Sequence, residues 1–413
     1  MSGVTRSWPA AALSGLALLA AGCGTASSTH QGAGAALTPA RPAAASASPA
    51  AAPSCPRAAA ATVYTASGAQ GPVQALDAVQ FVSASQGWVA GAGRVLATSD
   101  GGRTWTTQYT GPAKIDAVDF TDAQHGWAVG TNALLRTTDG GATWTALSEP
   151  CAAIESVHFV TPDVGYAVAG GGQVWLSGGV PAAVGSGKLL ATTNGGSTWT
   201  PVAGAPAQVQ TACFSGQDDG FLGTPGKVWH TTDGGKSWSL AFAEPPLASG
   251  MHAPAPDTTV LECAGSAAWA LFLGYGAALG HAPYLAYVTQ DGRSWRALFE
   301  ESYIESGARP EVHAPDGPGS YPGPFSAISP QAAVYVGYTP PIGDGAAPVE
   351  VASAGGATLT REGDVGGVSV PEAAAFISTS QGWVVGEALP SGDFVVEATA
   401  DGGHTWTRQY EVS

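Results

Sequence analysis

Thr98-Ser-Asp-Gly-Gly-Arg-Thr-Trp105 is the stretch that decides the fold. The same octapeptide pattern returns at 137–144, 192–199, 231–238 and 399–406, and a shortened copy reads Thr289-Gln-Asp-Gly-Arg-Ser-Trp295. Its glycines allow the positive φ of a tight hairpin, and its Asp carboxylate can accept backbone N–H bonds across that turn. The Trp then begins the next strand and packs inward. Asp100, Asp139, Asn194, Asp233, Asp291 and Asp401 are therefore read as structural, as are Trp105, Trp144, Trp199, Trp238, Trp295 and Trp406.

A second element precedes each hairpin, seven residues from a Phe to a second aromatic: Phe81 to Trp88, Phe120 to Trp127, Phe159 to Tyr166, Phe214 to Phe221 and Phe376 to Trp383. Each unit thus reads as four antiparallel strands with the octapeptide turn between the third and fourth, which is a propeller blade. The turn acids stand at 100, 139, 194, 233, 291 and 401, and the last step of 110 is twice 55, so one blade has lost its turn motif. Its strands are expected at Phe325 to Ile328 and Val334 to Gly337, with Thr360 to Asp364 as the eroded hairpin. The fold class is all-β, a seven-bladed propeller over 61–413. It closes either by simple packing of the last blade or with 62–65 added to an outer edge.

The octapeptide resembles the Asp-box, or bacterial neuraminidase repeat. With the Gly-Trp-(Val/Ala)-x-Gly strands at 87–91, 126–130 and 382–386, the chain resembles seven-bladed propellers related to photosystem II assembly and stability factors. That resemblance implies a non-enzymatic scaffold that holds a partner protein. The chain departs from it by lacking an arginine-rich face and by its acidic insertions. The resemblance also places the Asp-box hairpins on the periphery of one face.

The first sixty residues read as a targeting segment. Arg6 is followed by an uncharged run to Ala21, shorter than the roughly 20 apolar residues a membrane span needs. The run ends Leu19-Ala-Ala-Gly-Cys23, which resembles a lipobox with Cys23 as the lipidated residue; secretion with cleavage after a small residue is the alternative. Residues 23–60, almost wholly Ala, Pro, Ser, Thr and Gly, read as a disordered tether. The expected placement is exported and lipid-anchored on the outer face of the cell membrane.

Acids outnumber bases 31 to 15, for a net charge of −16, which argues against nucleic acid as a partner. Besides Cys23 there are Cys55, Cys151, Cys213 and Cys263. Cys213 and Cys263 hold similar places in successive repeats, so that pairing is favoured, with Cys55–Cys151 as the second. The spacings fit no zinc site, so no metal and no cofactor are expected. A monomer is expected.

Candidate binding residues fall on the face opposite the hairpins, where the long connections gather: 171–187, 244–256, 274–283, 298–323 and 338–348. The most decorated one carries Tyr303, Glu305, Arg309, His313 and Tyr321, as a solvated loop or as part of a surface that binds protein or glycan. A further pattern lies in the first strands, where Asp77, Asp116, Glu155 and Glu372 each stand four residues before the blade's Phe, with Gln210 in the same place. These carboxylates are expected near the mouth of the central channel, either capping backbone groups or binding cations. The three converging arginines that a sialidase needs are not available, and the Arg-Ile-Pro-type motif of its first blade is absent. The expectation is a non-catalytic binding module, with a glycan-active hydrolase as the alternative, sialidase-like or another glycosidase that uses two mouth carboxylates.

Overall fold

Short runs of small, β-branched and aromatic residues punctuated by Gly give the chain its strands. The computed structural model describes residues 63–65, 75–130, 132–148, 153–176, 180–245, 258–274, 283–301, 314–339 and 347–412. The strands form seven antiparallel sheets whose strand order follows the chain, four strands each, with one sheet widened to five. Blade one consists of Ala78–Phe81, Gly87–Gly91, Arg94–Thr98 and Thr106–Thr110. Blades two to seven occupy 115–146, 154–201, 211–243, 258–301, 325–364 and 370–412. The lipobox, the tether, Cys23, Cys55 and Cys151 lie outside the described residues, and no described helix is long and apolar enough to cross a membrane.

The repeated aromatics hold blade to blade. Trp88 stacks on Phe120, Trp127 on Phe159, Tyr166 on Phe214 and Trp383 on Phe81, at centroid distances of 3.5, 3.4, 3.5 and 3.5 Å. Each of these Phe rings also meets its own blade's box Trp near edge-on, as Phe81 does Trp105 at 6.1 Å and Phe120 does Trp144 at 5.9 Å. The residue before the strand-two aromatic has to be Gly because the Phe ring lies on it: a Cβ on Gly87 would come 2.4 Å from Phe81 Cδ1.

A second set of contacts crosses the same boundaries on the innermost strands. The residue just before the Phe position reaches the Phe position of the next blade. Gln80 accepts from the Phe120 N–H (2.7 Å), Asp119 from Phe159 (2.6 Å), Glu262 from Ala327 (2.6 Å) and Ser326 from Phe376 (3.1 Å). His158 Nε2 donates to the Phe214 carbonyl at 2.7 Å. Between blades four and five the latch is covalent, a Cys213–Cys263 disulfide with Cα atoms 5.5 Å apart. In blade seven the equivalent residue is Ala375, which has no polar group to offer.

Two local expectations change, and one open alternative is decided. The eroded hairpin of blade six is not at 360–364, since Thr358–Asp364 is itself the outer strand. The turn is Ser353-Ala-Gly-Gly-Ala-Thr358, with Ala354, Gly355 and Gly356 at positive φ; it kept the glycines and lost the Asp. The 171–187 connection is not a loop, because its residues pair from Gly171↔Gly185 to Leu176↔Val180 and lengthen the second and third strands of blade three. Last, Val63–Thr65 pairs antiparallel with Thr143–Ala146 on the outer edge of blade two, so the seventh blade closes on the first by packing.

Candidate functional site at the channel mouth

Register places the two faces. Phe81 pairs with Gly87 and Gly87 with Thr98, so the box hairpin lies at the Phe end of each blade. The residue four places earlier therefore lies at the other end, where the innermost strands begin.

The boxes are closed hydrogen-bonded units. Asp100 Oδ1 accepts from the Thr98 hydroxyl (2.8 Å) and the Thr104 N–H (2.9 Å), and Oδ2 from the Thr104 hydroxyl (2.7 Å). The same set recurs around Asp139, Asp233 and Asp401. Bonds from the Thr104 hydroxyl, then from its N–H, hold Asp100 down at about 2, and Asp233, Asp291 and Asp401 sit at about 2 as well. With their lone pairs engaged inside the turn, these carboxylates are poorly placed for a ligand.

At the opposite end, Asp77, Asp116, Glu155, Gln210 and Glu372 line one cavity of about 430 Å³ together with Lys114. Local backbone explains how three of the acids reach it. The ladders slip between Ile115 and Ala117, between Ile154 and Ser156, and between Pro371 and Ala373. The residue skipped each time is the acid, and a bulge of this kind turns an extra side chain out of the pairing. Gln210 is engaged differently: its Oε1 accepts the Thr259 N–H of blade five at 2.8 Å. The same position is Thr259 in blade five and Gly323 in blade six, so the acids form an arc on blades seven, one, two and three.

Lys114 is the residue that sequence reasoning missed. Its ammonium sits 3.1 Å from Asp77 and 2.8 Å from Asp116. Burial pushes the Asp77 carboxyl up more than Lys114 pulls it down. Bonds to Asp116 and Asp77 hold the Lys114 ammonium above its ordinary value against partial burial. Asp77 Oδ2 is buried without a hydrogen-bond partner. A lysine two residues before a strand-start acid was the available signal.

Of the decorated insertion, Tyr303, Glu305, Arg309 and His313 lie outside the described residues. Tyr321 exchanges two backbone bonds of 2.9 Å with Tyr338, and the two rings lie 5.6 Å apart. Burial, then Tyr321, Glu387 and Glu372, push the Tyr338 hydroxyl up. Among the described residues no group of His, Cys, Asp and Glu is arranged to hold a metal ion.

Residues 108–204 match the family model described as photosynthesis system II assembly factor YCF48. No curated protein matches the chain. Among solved structures, the GH74 xyloglucanase from Xanthomonas campestris is similar at 14% identity and TM-score 0.53, over 84% of this chain and 56% of that one. An ancestral GH74 enzyme is similar at 13% identity and TM-score 0.42 (82% and 62% covered), and a manganese-bound oligogalacturonate lyase at 11% and 0.47 (83% and 90%). The chain thus spans little more than half of the xyloglucanase. The xyloglucanase likeness corrects one expectation. A non-catalytic chain is expected from the resemblance to non-enzymatic propellers and from the missing sialidase arginines, yet the architecture matched with TM-score 0.53 is that of an enzyme. An absent set of sialidase groups says nothing about catalysis at large.

Proposed function

We propose that the propeller binds a partner through a cationic group that enters the channel mouth. One observation carries this reading: acids from four blades converge on one cavity, and the chain's own Lys114 ammonium already sits between two of them. The described lining residues carry four carboxylates and one ammonium, an excess of acids over bases. Such an excess in a concave site attracts ammonium or guanidinium groups. The described lining residues are mostly carboxylates and small or amide side chains, which favours a basic side chain or polyamine over a neutral glycan. Calorimetric titration with spermidine and with a lysine-rich peptide tests this. Saturable binding that weakens at least tenfold in Glu155→Gln/Glu372→Gln supports it, and no heat from either probe sinks it.

A second reading has its own observation. Asp77 and Asp116 touch the same ammonium, so one oxygen of each lies no more than about 6 Å from the other, a ceiling that admits the roughly 5–5.5 Å of retaining glycosidases. Burial raises Asp77, as a general acid requires. Reducing-sugar release from a polysaccharide panel, abolished by Asp77→Asn, would decide for hydrolysis.

Export and lipid anchoring through Cys23 belong to the same proposal. Metabolic labelling with an alkynyl fatty acid, lost in Cys23→Ala, is the check.

A further inference from the structure

The boundaries between blades are unequal. Six are crossed by the chain itself, where one blade's outer strand leads to the next blade's first, and those six carry the latches at Gln80, Asp119, His158, Cys213, Glu262 and Ser326. The boundary between blade seven and blade one has no peptide link between neighbouring strands, and Ala375 stands at its latch position. The strand Val63–Thr65 pairs with blade two and does not bridge it. What holds it is the stack of Trp383 on Phe81, the Trp383 indole N–H on the Gly101 carbonyl (3.1 Å) and a shared apolar cluster. Comparable stacking is present at three latched boundaries as well.

This boundary also divides the mouth. Asp77 belongs to blade one and Glu372 to blade seven, and both line the same cavity. A cation that contacts groups on both sides of the boundary favours closure.

We propose that the ring opens at the seam between blades seven and one, and that a cation in the mouth holds this seam shut. The ligand part of the proposal rests on the cation-binding reading above. Among the described residues, opening here breaks no loop and no latch, only packing and the Trp383–Gly101 hydrogen bond, which makes it the least costly sub-global motion on this reading. The ligand needs only a higher affinity for the closed ring, and the closed ring then binds it more tightly in return.

Native-state hydrogen exchange on the full chain, with and without spermidine, tests both parts. Amides of 78–81 and 370–376 are expected to exchange at least tenfold faster than those of 115–120 and 154–159. Ala375→Gln, which copies Gln80, and the smaller Ala375→Ser, which copies Ser326, should each slow exchange at 78–81 and leave 154–159 unchanged. Equal exchange at all seams, or no slowing in either variant, overturns the seam assignment. Spermidine is expected to slow the same two segments alone. If it binds by calorimetry but leaves them unchanged, ligand control of the seam is overturned. If it does not bind, the cation reading of the mouth falls, ligand control falls with it, and the Ala375 variants alone decide the seam.

Discussion

The Phe159 N–H donates to the Asp119 carboxylate at 2.6 Å across the boundary between blades two and three. The first strand of each propeller blade has a free edge toward the channel, and this bond satisfies one donor on it. Asp119 also lies beside His158, the latch of the following blade. Burial pushes the Asp119 carboxyl up, and His158 and the Phe159 N–H pull the other way.

Removing that acceptor should cost more than neutralising it. Asp119→Ala leaves a buried N–H without a partner and is expected to destabilise the protein by about 1–3 kcal/mol. Asp119→Asn keeps an acceptor oxygen and should cost less at neutral pH. Urea midpoints of the two variants give the comparison; equal losses would assign the role of Asp119 to packing.

Glu262 makes stability fall with pH. Burial pushes its carboxyl up to about 8 against an ordinary 4.5, with only the Ala327 N–H pulling it down. The native state therefore holds the proton more tightly than the unfolded chain. Its contribution is complete below about pH 4.5 and is lost as pH rises through about 8. Glu262→Gln should flatten this part of the stability curve, and parallel curves for variant and parent would refute the assignment.

The Cys213–Cys263 bond closes a sequence separation of 50 residues. Replacing both cysteines with Ser should lower stability by about 2–4 kcal/mol, and reducing agent should lower the parent alone. Chemical denaturation with and without dithiothreitol reads this directly.

The boxes should tolerate Asn and not Ala. In blade three Asn194 Oδ1 accepts the Thr198 N–H at 2.9 Å, and its Nδ2 donates to the Thr198 hydroxyl at 2.9 Å. Asp100→Asn is therefore expected to stay close to the parent near pH 7, with Asp100→Ala clearly less stable. Because Asp100 is held at about 2, its contribution is present above about pH 4 and lost as pH falls through 2. An acid-denaturation midpoint that moves for neither variant would contradict this.

Much of the architecture was legible because it is periodic. Box spacing counted seven blades, and the four-residue offset from the Phe put Asp77, Asp116, Glu155 and Glu372 together. Features outside the period were hidden. The blade-six turn kept Gly355 and Gly356 but no Asp, so a search for the carboxylate passed over it. The glycine-rich 171–187 segment read as a loop because Gly is rare in strand interiors, whereas here long-range pairing overrides that preference. Lys114 carries no pattern of its own, and its place emerges only when blades one and two meet. The latch series is periodic in position but not in chemistry, running through Gln, Asp, His, Cys, Glu, Ser and Ala, so no residue type announces it.

The bulges at Asp116, Glu155 and Glu372 have a further consequence. Each absorbs one residue at the start of an innermost strand, while the pairing between bulge and box hairpin resumes in ordinary register. A blade can therefore gain, lose or exchange a side chain at the mouth without shifting its aromatic stack or its box. The two ends of the propeller are chemically independent, and the mouth can be respecified one blade at a time on an unchanged frame.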